Sequence, residues 1–154
     1  MNTNNNFNLQ IDHSNRKFKI LKLVILKTKD NQLYEANNKD FNIFRIMMSN
    51  FLDNCYKNNI NFTFFFDLNN LKNIPVLLIL EIFNLFKEKF HVIKKNLIGS
   101  VILTNENTFN NMFDLFMKFY KPSKPLKLCK DFDEANIFFN ECSENKYQDF
   151  EIIY

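Results

Sequence analysis

The chain has 154 residues, 46% of them hydrophobic, and a formal net charge of +3. That is enough chain for one domain with a real core. The charge is mildly basic and dispersed, short of the clustered positive footprint of a nucleic-acid binder, so no nucleic-acid partner is expected.

The chain holds 20 Phe, no Trp, three Pro and one Gly. Heavy use of Phe, Asn, Lys and Ile suggests an AT-rich coding sequence rather than a function. Residues 1–6 form a polar tail without the charged and apolar regions of a signal peptide. Phe7, Leu9 and Ile11 alternate with Asn8, Gln10 and Asp12, which predicts a half-buried strand. His13-Ser14-Asn15 is turn chemistry, and Lys17 to Thr28 predicts a second strand closing an antiparallel hairpin. A polar connection follows, in which Leu33-Tyr34 adds a short extended piece.

Lys39 to Tyr56 predicts the first helix, because Phe41, Phe44, Met48, Phe51, Leu52 and Cys55 recur every three or four residues. Asn37, Asn38 or Asp40 can cap it. The next stretch, NFTFFFDLNNLKNIPVLLIL from Asn61, predicts a strand buried on both faces, a polar loop, and a second helix from Pro75 to about Phe90. The apolar circumference of that helix implies deep burial, and Lys94-Lys95-Asn96 reads as loop. Leu97 to Leu103 predicts another buried strand. Thr108 can cap a third helix with the face Phe109, Met112, Phe113, Phe116 and Tyr120, broken by Pro122. Leu126 to Cys129 predicts a short strand and Asp131 to about Cys142 a fourth helix. Phe150 to Tyr154 can add an edge strand.

The order β-β-α-β-α-β-α-β-α predicts a single α/β domain over 7–142 with a mixed, mostly parallel sheet, an N-terminal hairpin, four helices and right-handed crossovers. Residues 143–154 read as a C-terminal tail. This order resembles the STAS domain of anti-sigma factor antagonists and sulphate transporters, and also the similar lipid-binding CRAL-TRIO fold. Three segments carry the STAS resemblance: FTFFFDLNNLKNI, LIGSVILTNENTF and PLKLCKDFDEANIFF, the last with Asp131, Asp133, Glu134 and Ala135 at its helix start. The antagonists' phosphorylatable Ser is replaced here by Asn73-Ile74-Pro75, so a kinase-operated switch at that position is not implied. The CRAL-TRIO comparison rests on Val101 to Asn105 and the helix Phe109 to Tyr120.

Ligands and partners of open α/β sheets dock at the carboxyl ends of the strands. That rule singles out Asp67, Asn69, Asn70, Lys72 and Asn73 with Thr104, Asn105 and Glu106 as a partner-binding rim. The plainer role of Asp67 is to close the turn by accepting N–H bonds. Asp67 and Glu106 could form an acid/base pair. However, no positioned nucleophile, Gly-rich phosphate loop or metal-ligand cluster accompanies them, so no catalytic residue, cofactor or metal is assigned. His13 and His91 read as surface residues.

Cys55, Cys129 and Cys142 have no metal or disulfide spacing and predict reduced thiols in a cytoplasmic setting. The most apolar segment is too short for a membrane span. Lysines group at Arg16-Lys17-Lys19-Lys22 and at Lys118 to Lys130. The second group reads first as a solvated face and a loop, and alternatively as a patch for anionic lipid or phosphate. The sequence therefore implies a non-catalytic module that docks a protein partner. The alternative is a carrier of a lipid or other apolar ligand, lined by Phe44, Met48, Phe113 and Phe116.

Overall fold

A computed structural model describes residues 6–73, 76–103, 114, 123–145 and 152–153. Its strands are β1 (Phe7–Asp12), β2 (Lys19–Ile25), β3 (Phe62–Asp67), β4 (Leu97–Leu103), β5 (Leu126–Cys129) and the two-residue β6 (Ile152–Ile153). Among the described residues the helices are α1 (Asn38–Lys57), α2 (Val76–Glu88), α3 (Phe90–Asn96) and α4 (Phe132–Ser143). The strands form one sheet in chain order. β1 pairs antiparallel with β2, and every later pairing is parallel. The molecule is thus a single α/β domain with a hairpin leading into a mostly parallel sheet.

β3 lies at the middle of the sheet, and its period-2 geometry divides its aromatic rings between the two faces. Phe62, Phe64 and Phe66 face one side, where they join Leu21, Leu23 and residues of α1, α2 and α3 in the larger core. Their rings stand 5.2 and 5.4 Å apart along the strand, and Phe86 of α2 stacks on Phe64 at 5.3 Å. Phe65 faces the other side with Ile20, Val101 and α4 residues Ala135, Phe138 and Phe139. Thr63 is the one polar residue of β3 inside the core, and the next, Asp67, stands where the strand leaves it.

The helix ends follow local chemistry. Asn37 accepts the Asp40 backbone N–H at 3.0 Å, and Asp40 accepts the Asn37 N–H at 2.9 Å, forming a capping box. The Tyr34 hydroxyl donates to the same buried Asp40 carboxylate at 2.8 Å, which ties the preceding loop to the cap. α1 closes on Asn59, whose φ of 54° lets the Ile60 N–H reach the Cys55 carbonyl at 2.9 Å. Asp131 caps α4 by accepting the Glu134 N–H at 2.8 Å.

Gly99 has a steric duty. A Cβ there would lie 2.7 Å from Cys142 Sγ and 3.5 Å from Phe138. The absence of a side chain at this point of β4 is what lets α4 settle on the sheet. β4 gains this position through a bulge: Phe62 pairs with Leu97, but Thr63 pairs with Gly99.

Three expectations need correction. The second predicted helix is two helices, because the chain turns at Lys89, and Lys94-Lys95-Asn96 belongs to α3 rather than to a loop. His91 accordingly lies within α3, edge-on to Tyr56 at 4.9 Å. Nor is α2 deeply buried: Leu85 and Phe86 enter the core, while Val76, Leu77 and Leu80 are 66, 55 and 49% exposed. A helix lying on one sheet face can bury only one stripe, however apolar its remaining circumference is. Of the predicted helix Thr108 to Tyr120 only Asp114 is described, and it is helical; the helix-starting Pro75 lies outside the described residues. All three cysteines are buried.

Two stability measurements check this account. Phe64→Ala and Phe65→Ala should each lower the urea-unfolding free energy by ~3–5 kcal/mol, since each removes a buried ring from a different face. Gly99→Ala should cost ~1–3 kcal/mol by overpacking. Adding Cys142→Ala should recover much of that loss, giving a favourable coupling in the double-mutant cycle.

Candidate functional site

The carboxyl end of the sheet is built around the turn after β3. Asp67 Oδ1 accepts the Asn69 N–H at 3.1 Å. This is the turn-closing role expected of an Asx residue. The Leu68 N–H bonds the Leu103 carbonyl at the end of β4, at 3.1 Å. On the other side the loop forms a short parallel bridge, Tyr34 to Leu71, with Tyr34 N–H to Asn70 carbonyl at 2.7 Å and Lys72 N–H to Tyr34 carbonyl at 2.9 Å. The extended piece expected at Leu33-Tyr34 is this bridge.

The predicted rim residues are therefore not equivalent. Asp67, Asn69 and Asn70 are half-buried, whereas Lys72 and Asn73 are exposed. Asn70 is not a free surface amide: its Nδ2 donates to the Ile25 carbonyl at the end of β2, at 2.9 Å. It serves as a strut between β2 and the loop. The Thr104, Asn105 and Glu106 half of the rim lies outside the described residues, so the Asp67–Glu106 pairing has no geometry here.

Burial pushes the Asp67 carboxyl above its usual value, against the opposing pull of the Asn69 N–H. Burial likewise drives the Cys55 and Cys129 thiols up to about 11, so neither is a thiolate at neutral pH. Among the described residues no three His, Cys, Asp or Glu side chains group to hold a metal ion. No described helix is long and apolar enough to cross a membrane.

Two surfaces extend beyond the predicted rim residues. One is the outward side of α2: its first two turns present Val76, Leu77 and Leu80, while further along the same side Asn84, Lys87 and Glu88 are polar. The apolar part is thus confined to the strand carboxyl end, beside Lys72 and Asn73. The other is a groove of about 350 Å³ at the opposite end of the sheet, lined by polar and cationic residues. The uneven apolar distribution of α2 is visible in the sequence, but its outward direction is not.

No protein-family model matches the chain, and neither a curated protein nor a solved structure does. The STAS and CRAL-TRIO resemblances thus rest on the element order and the segments quoted for each alone.

The charge on Asp67 gives a pH test with a definite sign. A carboxyl whose folded value is raised stabilises the fold while protonated, and this contribution is lost as pH rises from the ordinary carboxylate range through the raised folded value. Asp67→Asn keeps the Asx acceptor and removes the buried charge. It should match or exceed wild-type stability at pH 7, with the gap closing as pH falls below the ordinary Asp value of about 4. Thermal denaturation across that range reads it, and a clearly destabilised Asp67→Asn at pH 7 would refute a desolvated carboxylate.

Proposed function

We propose that this chain is a non-catalytic protein-interaction module of the STAS kind. In this reading it docks a partner protein through the start of α2 and the exposed end of the preceding loop. The supporting observation is the exposed apolar trio Val76, Leu77 and Leu80, edged by Lys72 and Asn73 at the carboxyl end of the sheet. Apolar side chains grouped within a polar border are the usual anatomy of a docking patch. Exposed apolar groups contribute nothing to this fold while they face water, and burying them against a partner would be favourable. The occupant that fits is an apolar helix or strand of a different protein, with a carboxylate placed to meet Lys72.

The structure offers less support for a carrier of an apolar ligand. Such a carrier needs a largely apolar pocket. Phe44 and Met48 instead fill the core, with Phe44 held between Phe7 and Phe66 at ring distances of 6.4 Å. Phe113 and Phe116 lie outside the described residues.

The test replaces exposed residues only. Leu77→Lys/Leu80→Lys should leave folding within ~0.5 kcal/mol of wild type by chemical denaturation. It should also abolish co-purification of the partner from the native source. Ile137→Lys, at a 62% exposed position on α4 across the sheet, should leave it intact. Sedimentation of the pure chain should give a monomer; a dimer dispersed by the α2 double variant would show self-association and overturn the heterologous reading. Equal capture by all three proteins would do so as well.

A further inference from the structure

The second unassigned surface lies at the amino ends of β2 and β3, on the opposite end of the domain from the docking patch. Its groove of about 350 Å³ is lined by His13, Asn15, Arg16, Lys17, Phe18 and Lys19 from the hairpin, and by Asn59, Ile60 and Asn61 from the connection between α1 and β3. Three of these residues are cations, three are neutral amides, and none is a carboxylate. The cations all stand on the hairpin wall and the facing wall is neutral, so the concavity carries one sign of charge, which concentrates counter-ions.

Both walls are fixed by the backbone. Asp12 Oδ1 accepts the Ser14 N–H at 2.8 Å, and Asn15 Oδ1 accepts the Lys17 N–H at 2.8 Å, so two successive Asx turns set the course of the hairpin connection. Asp12, the nearest carboxylate in sequence, is already engaged: its other oxygen pairs with Lys22 at 3.0 Å. The Ser14 bonds and Lys22 together hold its carboxyl down to about 2. On the facing wall, the left-handed Asn59 and the Ile60-to-Cys55 bond set the chain as it leaves α1. The two walls are joined by the Lys19 N–H to Asn61 carbonyl bond at 3.0 Å. Asn15 Nδ2 also reaches Asn140 Oδ1 of α4, at 3.4 Å. The cations and amides are thus presented from a preorganised frame, which lowers the ordering cost of binding.

Cations at a helix carboxyl end ordinarily only balance the helix dipole. Lys57 does that for α1, and Lys94 and Lys95 do it for α3. Arg16, Lys17 and Lys19 are on the hairpin connection and the start of β2, outside any helix turn.

We propose that this groove binds a small, multiply phosphorylated anion, a phosphorylated polyol or a chain of inorganic phosphates. Phe18, the one Phe, Tyr or Trp in the lining, is buried and offers no face for a base. The same phosphates can arrive on a free metabolite or on a lipid headgroup.

Calorimetric titration of inorganic triphosphate and of inositol trisphosphate into the full chain, at low ionic strength, should show saturable binding at one site. Amide resonances of His13, Asn59 and Asn61 should move together during the titration. Arg16→Glu/Lys17→Glu changes two exposed residues and should weaken binding by about 100-fold, roughly tenfold for each lost charge-assisted bond. Lys27→Glu/Lys29→Glu makes the same change of net charge in the loop after β2, at the other end of the strands, and should change affinity by no more than about threefold. Vesicles carrying phosphatidylinositol bisphosphate, compared with phosphatidylserine vesicles of equal surface charge, separate the sources: preferential co-sedimentation assigns a headgroup, and its absence with tight soluble binding assigns a free ligand. Failure to saturate with either soluble probe, or equal loss in the two charge-reversal variants, overturns the site.

Discussion

Everything in this domain is arranged around a strand that has no solvent side. β3 carries rings on both faces, so layers must be built above and below it for the strand to persist in water. α1, α2 and α3 supply one layer and α4 the other. The hairpin β1–β2 and the strands β4 and β5 then satisfy its backbone and extend the sheet to either side. Because Phe62, Phe64 and Phe66 form a continuous row with Phe86 stacked on it, the position of α2 is set by aromatic contact near its carboxyl-terminal end. Its amino-terminal turns project from that anchor, and this is why they are left with exposed apolar side chains.

Much of this arrangement was legible in the chain. The period-2 run from Phe7, the aromatic-rich run Phe62 to Phe66 and the three- and four-residue spacing of α1 each correspond to an element within a residue or two. Asp131 ahead of Phe132 and Asn37 ahead of α1 act as helix starts through ordinary capping chemistry. The failures share a cause. The turn at Lys89 carries no proline or glycine, so nothing local announces it. The apolarity of α2 suggests burial, yet composition states what a helix could bury and not which stripe meets the sheet. Asn70 was placed on an exposed rim, although its amide bonds the Ile25 carbonyl 45 residues away. Such a contact exists only once β2 and β3 are side by side.

The two unassigned surfaces sit at opposite ends of the same strands and differ in kind. The carboxyl end offers apolar side chains with a polar border, while the amino end offers cations and amides in a fixed concavity. Their separation means that neither surface needs to be remade for the other to be used. The sequence-level rule that favours strand carboxyl ends found only one of them. The groove brings together residues near positions 16 and 60, which become neighbours through the parallel pairing of β2 and β3.

The placement of the single glycine bears on how this chain can vary. Left-handed backbone, the usual province of glycine, is taken here by Asn31, Asn59 and Asn145, with φ of 60, 54 and 59°. Asn tolerates that region better than other side-chain-bearing residues, and Gly tolerates it better still. These three sites therefore have at least one substitute that keeps the turn. Gly99 has none, since its requirement is for empty space beneath Cys142 and any side chain fills it. The chain's single glycine stands where a side chain could be placed only by displacing Cys142. Asn31, Asn59 and Asn145 could each be exchanged for glycine with the backbone course kept, whereas losing Gly99 would require α4 to move with it.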